Sequence, residues 1–243
     1  MTLRKLQKRT RSTSNQVRSK SVDLKIYRRA WIIPDIHACY QTLFSLIQSL
    51  SLKPNQDIII FLGDYINKGP SPIRTLDFLE DLKKSLKSIY LLGNHDSMLL
   101  DFWETDDLVL KERLIELGSE DLLLLSKTYA KFFSETVHFV ETNQQLIVHA
   151  GFDFDLDDPL TDTQSMLTIR ELKYDPLKAK SKQIIRGHYP FPIEEIRKTI
   201  SEQKKVLSLD NGCVYTDRAG QGNLLAYDLK SKELVVQRNI DQT

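Results

Sequence analysis

The chain has 243 residues, 41% hydrophobic and 28% charged, with a formal net charge of +1 at pH 7. That is room for one large domain with a continuous core, leaves little for a second, and gives no overall electrostatic pull toward nucleic acid. The two cysteines, Cys39 and Cys213, match no zinc or redox spacing, which argues against a disulfide framework and for a reducing compartment.

The first twenty residues carry Arg4, Lys5, Lys8, Arg9, Arg11, Arg18 and Lys20 without one acid, and no apolar leader follows. Residues 1–22 are read as a basic, flexible tail and 23–243 as the folded domain, with a cytoplasmic location. A basic tail could also touch nucleic acid or an anionic surface, but no aromatics interleave its charges. No apolar stretch is long enough to span a membrane.

From about Val22 short apolar, β-branched runs alternate with helical spacing, the pattern of a mixed α/β chain. The runs are AWIIPD, DIIIFLGD, SIYLLGNHD, QLIVHAG, QIIRGH and VLSLDNG. Leu43, Phe44, Ile47 and Leu50 predict a helix after the first, and Leu76, Leu79, Leu82 and Leu86 another after the second. Residues 97–135 are leucine-rich, charged and poor in β-branched runs, which predicts a helical insert of two or three helices. At Asp153 a D-x-D-x-D opening suggests a calcium loop, but Asp158 stands where glycine is needed and Gln164 where glutamate is, so an acidic surface loop is expected.

Chemistry-bearing residues gather at the ends of the apolar runs. Asp35, His37, Asp64, Asn94, His95, His149 and His188 all follow such a run, and strand ends of an α/β sheet meet at one edge. Imidazole beside carboxylate suits a divalent transition metal. His138, inside VHFV, is read instead as a core residue. Six of the nine glycines fall in the same turns, where positive φ or close backbone approach is needed.

Five ordered blocks, PDIHAC at 34–39, GDYINKGP at 63–70, GNHD at 93–96, VHAG at 148–151 and RGH at 186–188, resemble the calcineurin-like metallophosphoesterases. The bacterial and phage branch of the phosphoprotein phosphatases is the nearest in pattern, and LTIRE at 167–171 and LDNGCVY at 209–215 extend the likeness. The resemblance implies a four-layer fold, a central β-sandwich of two mixed sheets flanked by helices. It implies two divalent metal ions, manganese first and iron or zinc as alternatives. Asp35 and His37 would hold one ion, Asn94, His149 and His188 the other, and Asp64 would bridge both. A metal-bridging hydroxide would attack phosphorus in line, since two metals against two carboxylates and a hydroxide leave a positive site for a phosphate dianion. His95 would protonate the leaving oxygen, and Lys68 and Arg170 would hold the phosphate.

Several positions depart from the family pattern. Asn67 stands where the protein phosphatases usually carry the aspartate that pairs with the acid histidine, so it supplies no charge to favour an imidazolium. Lys68 replaces the commoner arginine, a point charge in place of a planar fork. Pro34 and Ala38 replace glycines, and Tyr189 replaces threonine. The resemblance therefore implies a phosphoesterase acting on phosphate monoesters, first of all phosphoserine and phosphothreonine in protein. Two alternatives stand beside it: a symmetrical dinucleoside polyphosphate hydrolase, whose leaving group needs little protonation, and a catalytically weakened phosphate-recognition module.

Overall fold

Strand alternation sets the layering. A computed structural model describes residues 16–241. In chain order, β1 is Ser19–Ser21, β2 Arg29–Ile33, α1 Tyr40–Ser49, β3 Asp57–Phe61, α2 Pro72–Ser85 and β4 Lys87–Tyr90. Then come α3 Asn94–Thr105, α4 Leu108–Glu116, α5 Ser126–Ser134, β5 Phe139–Glu141, β6 Gln145–Val148 and α6 Thr163–Thr168. The chain closes with β7 Gln183–Arg186, α7 Ile193–Ser201, β8 Val206–Ser208, β9 Asn223–Asp228 and β10 Leu234–Arg238.

These strands form two mixed sheets of five, ordered β10-β9-β2-β3-β4 and β1-β5-β6-β7-β8. β2, β3 and β4 run parallel, as do β6, β7 and β8, while β9 and β10 close the first sheet antiparallel. In β2 and β3, Ala30, Ile32, Ile58 and Ile60 face the second sheet and bury against Val140, Ile147, Ile185 and Leu207. Their alternating neighbours Trp31, Ile33, Ile59 and Phe61 face the helices. Strands covered on both faces must be apolar throughout, which is why these runs showed no polar alternation. The outer face of the second sheet packs Phe139, Leu146, Val148 and Ile184 on Phe152, Phe154 and Met166. Helix, sheet, sheet and a mostly irregular outer cover with α6 make the four layers expected.

The expected insert is α3, α4 and α5, and it packs down onto the helical face. Phe132 of α5 meets Tyr65 and Tyr90 edge-on at centroid distances of 5.6 and 5.1 Å, and Tyr129 donates its hydroxyl to Asp77 of α2 at 2.7 Å. α4 begins where the Asp107 carboxylate accepts from the backbone N–H of Val109 at 2.8 Å. Beyond that helix the Leu117 carbonyl accepts from the Lys68 N–H at 2.6 Å, so the insert also braces the loop after β3.

The strand β1 lies within the segment read as a tail. Ser19–Ser21 pair in parallel with Phe139–Glu141, and the Arg18 N–H donates to His138 Nδ1 at 3.0 Å. Edge pairing through the backbone carries no apolar pattern, so composition alone could not show this strand. Residues 1–15, the rest of the expected tail, lie outside the described residues. Among the described residues no helix is long and apolar enough to cross a membrane.

Candidate metal centre

Six parallel strands, in two sets of three, deliver their carboxyl ends to one edge of the sandwich. β2 leads to Asp35 and His37, β3 to Asp64, β4 to Asn94 and His95, β6 to His149, β7 to His188 and β8 to Asp210. Close backbone approach makes this convergence possible. A Cβ on Gly93 would stand 2.1 Å from Asp64 Oδ1 and 2.2 Å from its backbone nitrogen. A Cβ on Gly187 would stand 2.1 Å from Asp35 Oδ1. No side chain fits at either place.

Asp64 is central. Its Oδ2 lies 3.7 Å from His37 Nε2 and its Oδ1 3.7 Å from His149 Nε2. His37, Asp64 and His95 form one group able to hold a metal ion, and Asp64, His149 and His188 form a second. Asn94 joins the second, its Oδ1 3.0 Å from His149 Nε2 and 2.9 Å from His188 Nδ1. Asp35 falls in neither group; its carboxylate accepts from the His188 N–H at 3.0 and 3.2 Å. Asp35, His37, Asp64 and His149 are all buried, at most 3% exposed, so their ionisation must be matched inside the protein.

The donor set fits a cation. His149 Nδ1 lies 2.9 Å from the Leu62 carbonyl and His37 Nδ1 3.1 Å from that of Ile66, contacts that place each ring proton on Nδ1 and leave Nε2 as a lone pair. The lone pairs of His149 Nε2 and Asn94 Oδ1 then meet at 3.0 Å, an unfavourable contact unless a positive charge is shared between them. In the first group a cation is already present as the Lys68 ammonium, 2.9 Å from His37 Nε2. The donors fit a cation in each of the two groups that share Asp64: His37 and His95 with it on one side, His149 and His188 with Asn94 on the other.

Burial disfavours the charged form of His188 and His37, as suits metal ligands. His188 is pushed down to about 4 by burial and by neighbouring His149, and His37 falls well below its usual range through burial and the Lys68 charge. Burial would raise Asp64, but His149, His95 and His37, which compete with it for a proton, and the Lys68 charge hold it below the usual carboxylate range. Asp35, without that company, is pushed well up by burial and by the Asp64 charge. Bound cations would reverse that last shift.

His95 stands beside the first group, its ring 5.0 Å from that of His37, and its backbone N–H donates to Asp64 Oδ1 at 2.9 Å. Asn67 Nδ2 lies 2.8 Å from His95 Nδ1, and Asn67 Oδ1 is buried without a partner. Arg170 is exposed at the rim, with its guanidinium 6.0 Å from the centre of the Tyr189 ring. Ala38 adopts φ of 57°, so the left-handed turn that glycine would favour is kept with alanine in it. Cys39 and Cys213, both buried and free, share the Asn239 amide, which donates to their sulfurs at 3.4 and 3.9 Å.

Two residues without an assigned sequence role hold this edge together. Asp96 is fully buried and its carboxylate accepts from the N–H groups of Asp64, Tyr65 and Gly93 at 2.8, 3.0 and 2.9 Å. Burial and the Asp64 charge push it up to about 7 against those three donors. Its spacing, three residues after the glycine that caps α3, is a capping pattern visible in GNHD. Arg186 donates to Ser208 Oγ at 2.9 Å and to the carbonyls of Ala150 and Arg170 at 3.0 and 2.9 Å, tying the loops after β6 and α6 to β7. No local signal marks Arg186, because all its partners are distant in sequence.

The family profile described as calcineurin-like phosphoesterase matches residues 28–216. Serine/threonine-protein phosphatase 2 of Salmonella typhimurium is 34% identical over 91 residues, 37% of this chain and 40% of that protein. A symmetrical bis(5'-nucleosyl)-tetraphosphatase of Coxiella burnetii is 37% identical over 81 residues, 33% of this chain and 27% of that protein. Less than half of either relative's length is therefore matched. Among solved structures, a candidate diadenosine tetraphosphatase aligns with TM-score 0.61 at 21% identity, over 90% of this chain and 97% of that one. A protein serine/threonine phosphatase of Saccharomyces cerevisiae aligns with TM-score 0.60 at 12% identity, over 94% and 86%. At such identities these structures speak for the fold.

Proposed function

The chain belongs to the calcineurin-like phosphoesterase family, and from that premise we propose that it is a dinuclear metal-dependent phosphomonoesterase acting on phosphoserine and phosphothreonine in protein. The observation that carries this reading is the Asp64 carboxylate, one oxygen turned to His37 and the other to His149, between two groups of metal-ligating side chains. Manganese is the metal we assign, and O and N donors accept iron or zinc as well.

Bound divalent ions would supply Lewis acidity toward the phosphoryl oxygens and an activated water. The chain's own residues do the rest. Lys68 brings a positive charge beside His37, where a phosphate oxygen can take the ammonium once a metal occupies the imidazole. Arg170 at the rim offers a second cation to the same dianion. His95 acts as an acid only as the imidazolium, whose Nε2–H would face the leaving oxygen while its Nδ1 side meets the uncharged Asn67 amide. Asp96 holds the Asp64 backbone in register, and Arg186 holds the carbonyl of Arg170.

A second reading is favoured by one contact. Asn67 donates to His95 where a carboxylate would accept, so the imidazolium gains no stabilisation there. That costs little when the leaving group is a nucleotide phosphate, as in the reaction that the Coxiella burnetii relative's name describes. The test is phosphate release by metal-free protein resupplied with manganese on a phosphoserine peptide, p-nitrophenyl phosphate and diadenosine tetraphosphate in parallel. Turnover of the peptide supports the first reading, and turnover of the dinucleotide alone supports the second. Manganese uptake with no turnover of any of the three would leave phosphate recognition without catalysis.

A further inference from the structure

Among the described residues, thirteen non-glycine positions hold positive φ. Six of them, His37, Ala38, Asp64, Asn67, Lys68 and His188, belong to the edge described above. Four others, Lys180, Ser181, Gln203 and Lys232, lie together around a cavity of about 760 Å³ at the opposite edge of the sandwich. Glycine or asparagine adopts such turns with least strain, yet these four carry longer or β-hydroxyl side chains. Strained positions of this kind gather where a ligand is held.

The cavity opens at the amino ends of β6 and β7, whose carboxyl ends carry His149 and His188. One strand length, about 13 Å, therefore separates it from the metal ligands. Together with an adjoining cavity that shares Asn143, Gln144, Gln145 and Lys232, it is lined by Lys25, Lys180, Lys182, Lys205, Lys230 and Lys232. Carboxylates lie close as well, Asp228 among them, which accepts from the Lys230 N–H at 3.3 Å. Glu141 pairs with Lys180 and Lys182 at 3.1 and 2.7 Å, and Asp23 accepts from the Lys25 N–H at 2.9 Å. Lys25, Lys205, Lys230 and Lys232 have no ion pair among the described residues. The carbonyl end of α7 contributes Ser201 and Gln203 and by itself would attract a cation, so the lysines set the sign of this site.

We propose that this basin binds a small anion bearing several phosphate groups, at a site separate from the reaction centre. Its main cavity, about 760 Å³, falls within the roughly 300–1,000 Å³ of small-molecule sites. Its charge comes from lysine ammonium groups, which meet phosphate oxygens from any direction, and no arginine fork lines it. Neutral amides from Asn143, Gln144 and Gln203 add donors between the charges. The phosphate chain can be free or part of a nucleotide.

The test is calorimetric titration of the manganese-loaded full chain with inorganic tripolyphosphate. Lys205 and Lys232 are both exposed, so the double variant Lys205→Gln, Lys232→Gln should fold. We expect it to bind at least about tenfold more weakly, the size of losing two charge-assisted contacts, with turnover of p-nitrophenyl phosphate unchanged. Lys232→Gly should raise the unfolding midpoint while weakening binding, the signature of strain kept for a ligand. Equal affinity for tripolyphosphate and ATP assigns the phosphate chain alone, and tighter binding of ATP assigns a nucleotide. The proposal is overturned if the double variant binds as the parent does, if His149→Ala abolishes the binding, or if a hexaglutamate peptide binds equally well.

Discussion

Asn67 Nδ2 sits 2.8 Å from His95 Nδ1, so an amide donor faces the ring nitrogen that a carboxylate would otherwise leave protonated. His95 is depressed by burial and by the Lys68 charge, with Asp64 opposing. Asn67→Asp reverses the polarity of the contact and adds a negative charge in a buried site. The expected outcome is a rise in kcat on the order of tenfold toward a phosphoserine peptide, a fraction of the roughly 10²–10⁴ that a general acid contributes. p-Nitrophenyl phosphate, whose leaving group needs no proton, should gain little. Steady-state kinetics on the two substrates check this, and equal gains on both would count against an acid role for His95.

Asp96 touches no candidate ligand side chain but accepts three backbone N–H groups from the segments that carry Asp64 and Asn94. Asp96→Asn keeps the shape and has one acceptor oxygen in place of two. Supporting contacts of this kind are typically worth 10–100-fold in metal affinity, and we expect a loss of about that size in a manganese titration.

Gly93→Ala would press a methyl against Asp64 at 2.1 Å, with backbone as well as side chain in the way. Overpacking at a site that cannot yield costs about 1–3 kcal/mol or more, measurable as a lower urea midpoint with an unchanged slope. An unaltered midpoint would mean that the turns after β3 and β4 are looser than their contacts imply.

His138 gives a pH prediction away from the metal ligands. Burial and the Arg18 charge push it down to about 4, below its ordinary value of 6.5. Above pH 6.5 both folded and unfolded chains carry it neutral, and its contribution is full. As pH falls from 6.5 toward 4 the unfolded chain takes up the proton first, so stability is lost. His138→Gln lacks this titration and should lose less stability between pH 7 and 4, by roughly 2 kcal/mol. Urea unfolding of both chains across that range tests the difference.

How much of this could be read without coordinates depends on where the information lies. The runs behind β2, β3, β4, β6, β7 and β8 are buried on both faces, so their composition announces them, and the residues just past them meet at one edge because the strands are parallel. The helical insert was legible from its leucines. β1, a three-residue edge strand reading SKS, was not, since its pairing is all backbone. β9 and β10, though apolar in part, carry no site residue and were not singled out. Asp96 and Arg186 act through hydrogen bonds to backbone and loops brought near by the fold, and no residue-type pattern encodes such partners. Ala38, where the family pattern has glycine, keeps a left-handed turn at φ 57°, which its residue type alone does not announce.

The account rests most directly on Asp64 serving two cations at once. Metal content of the manganese-loaded, dialysed chain should be two ions per chain, and Asp64→Asn should lose both together with phosphate release. Retention of two ions by Asp64→Asn, or uptake of a single ion by the parent chain, would contradict it.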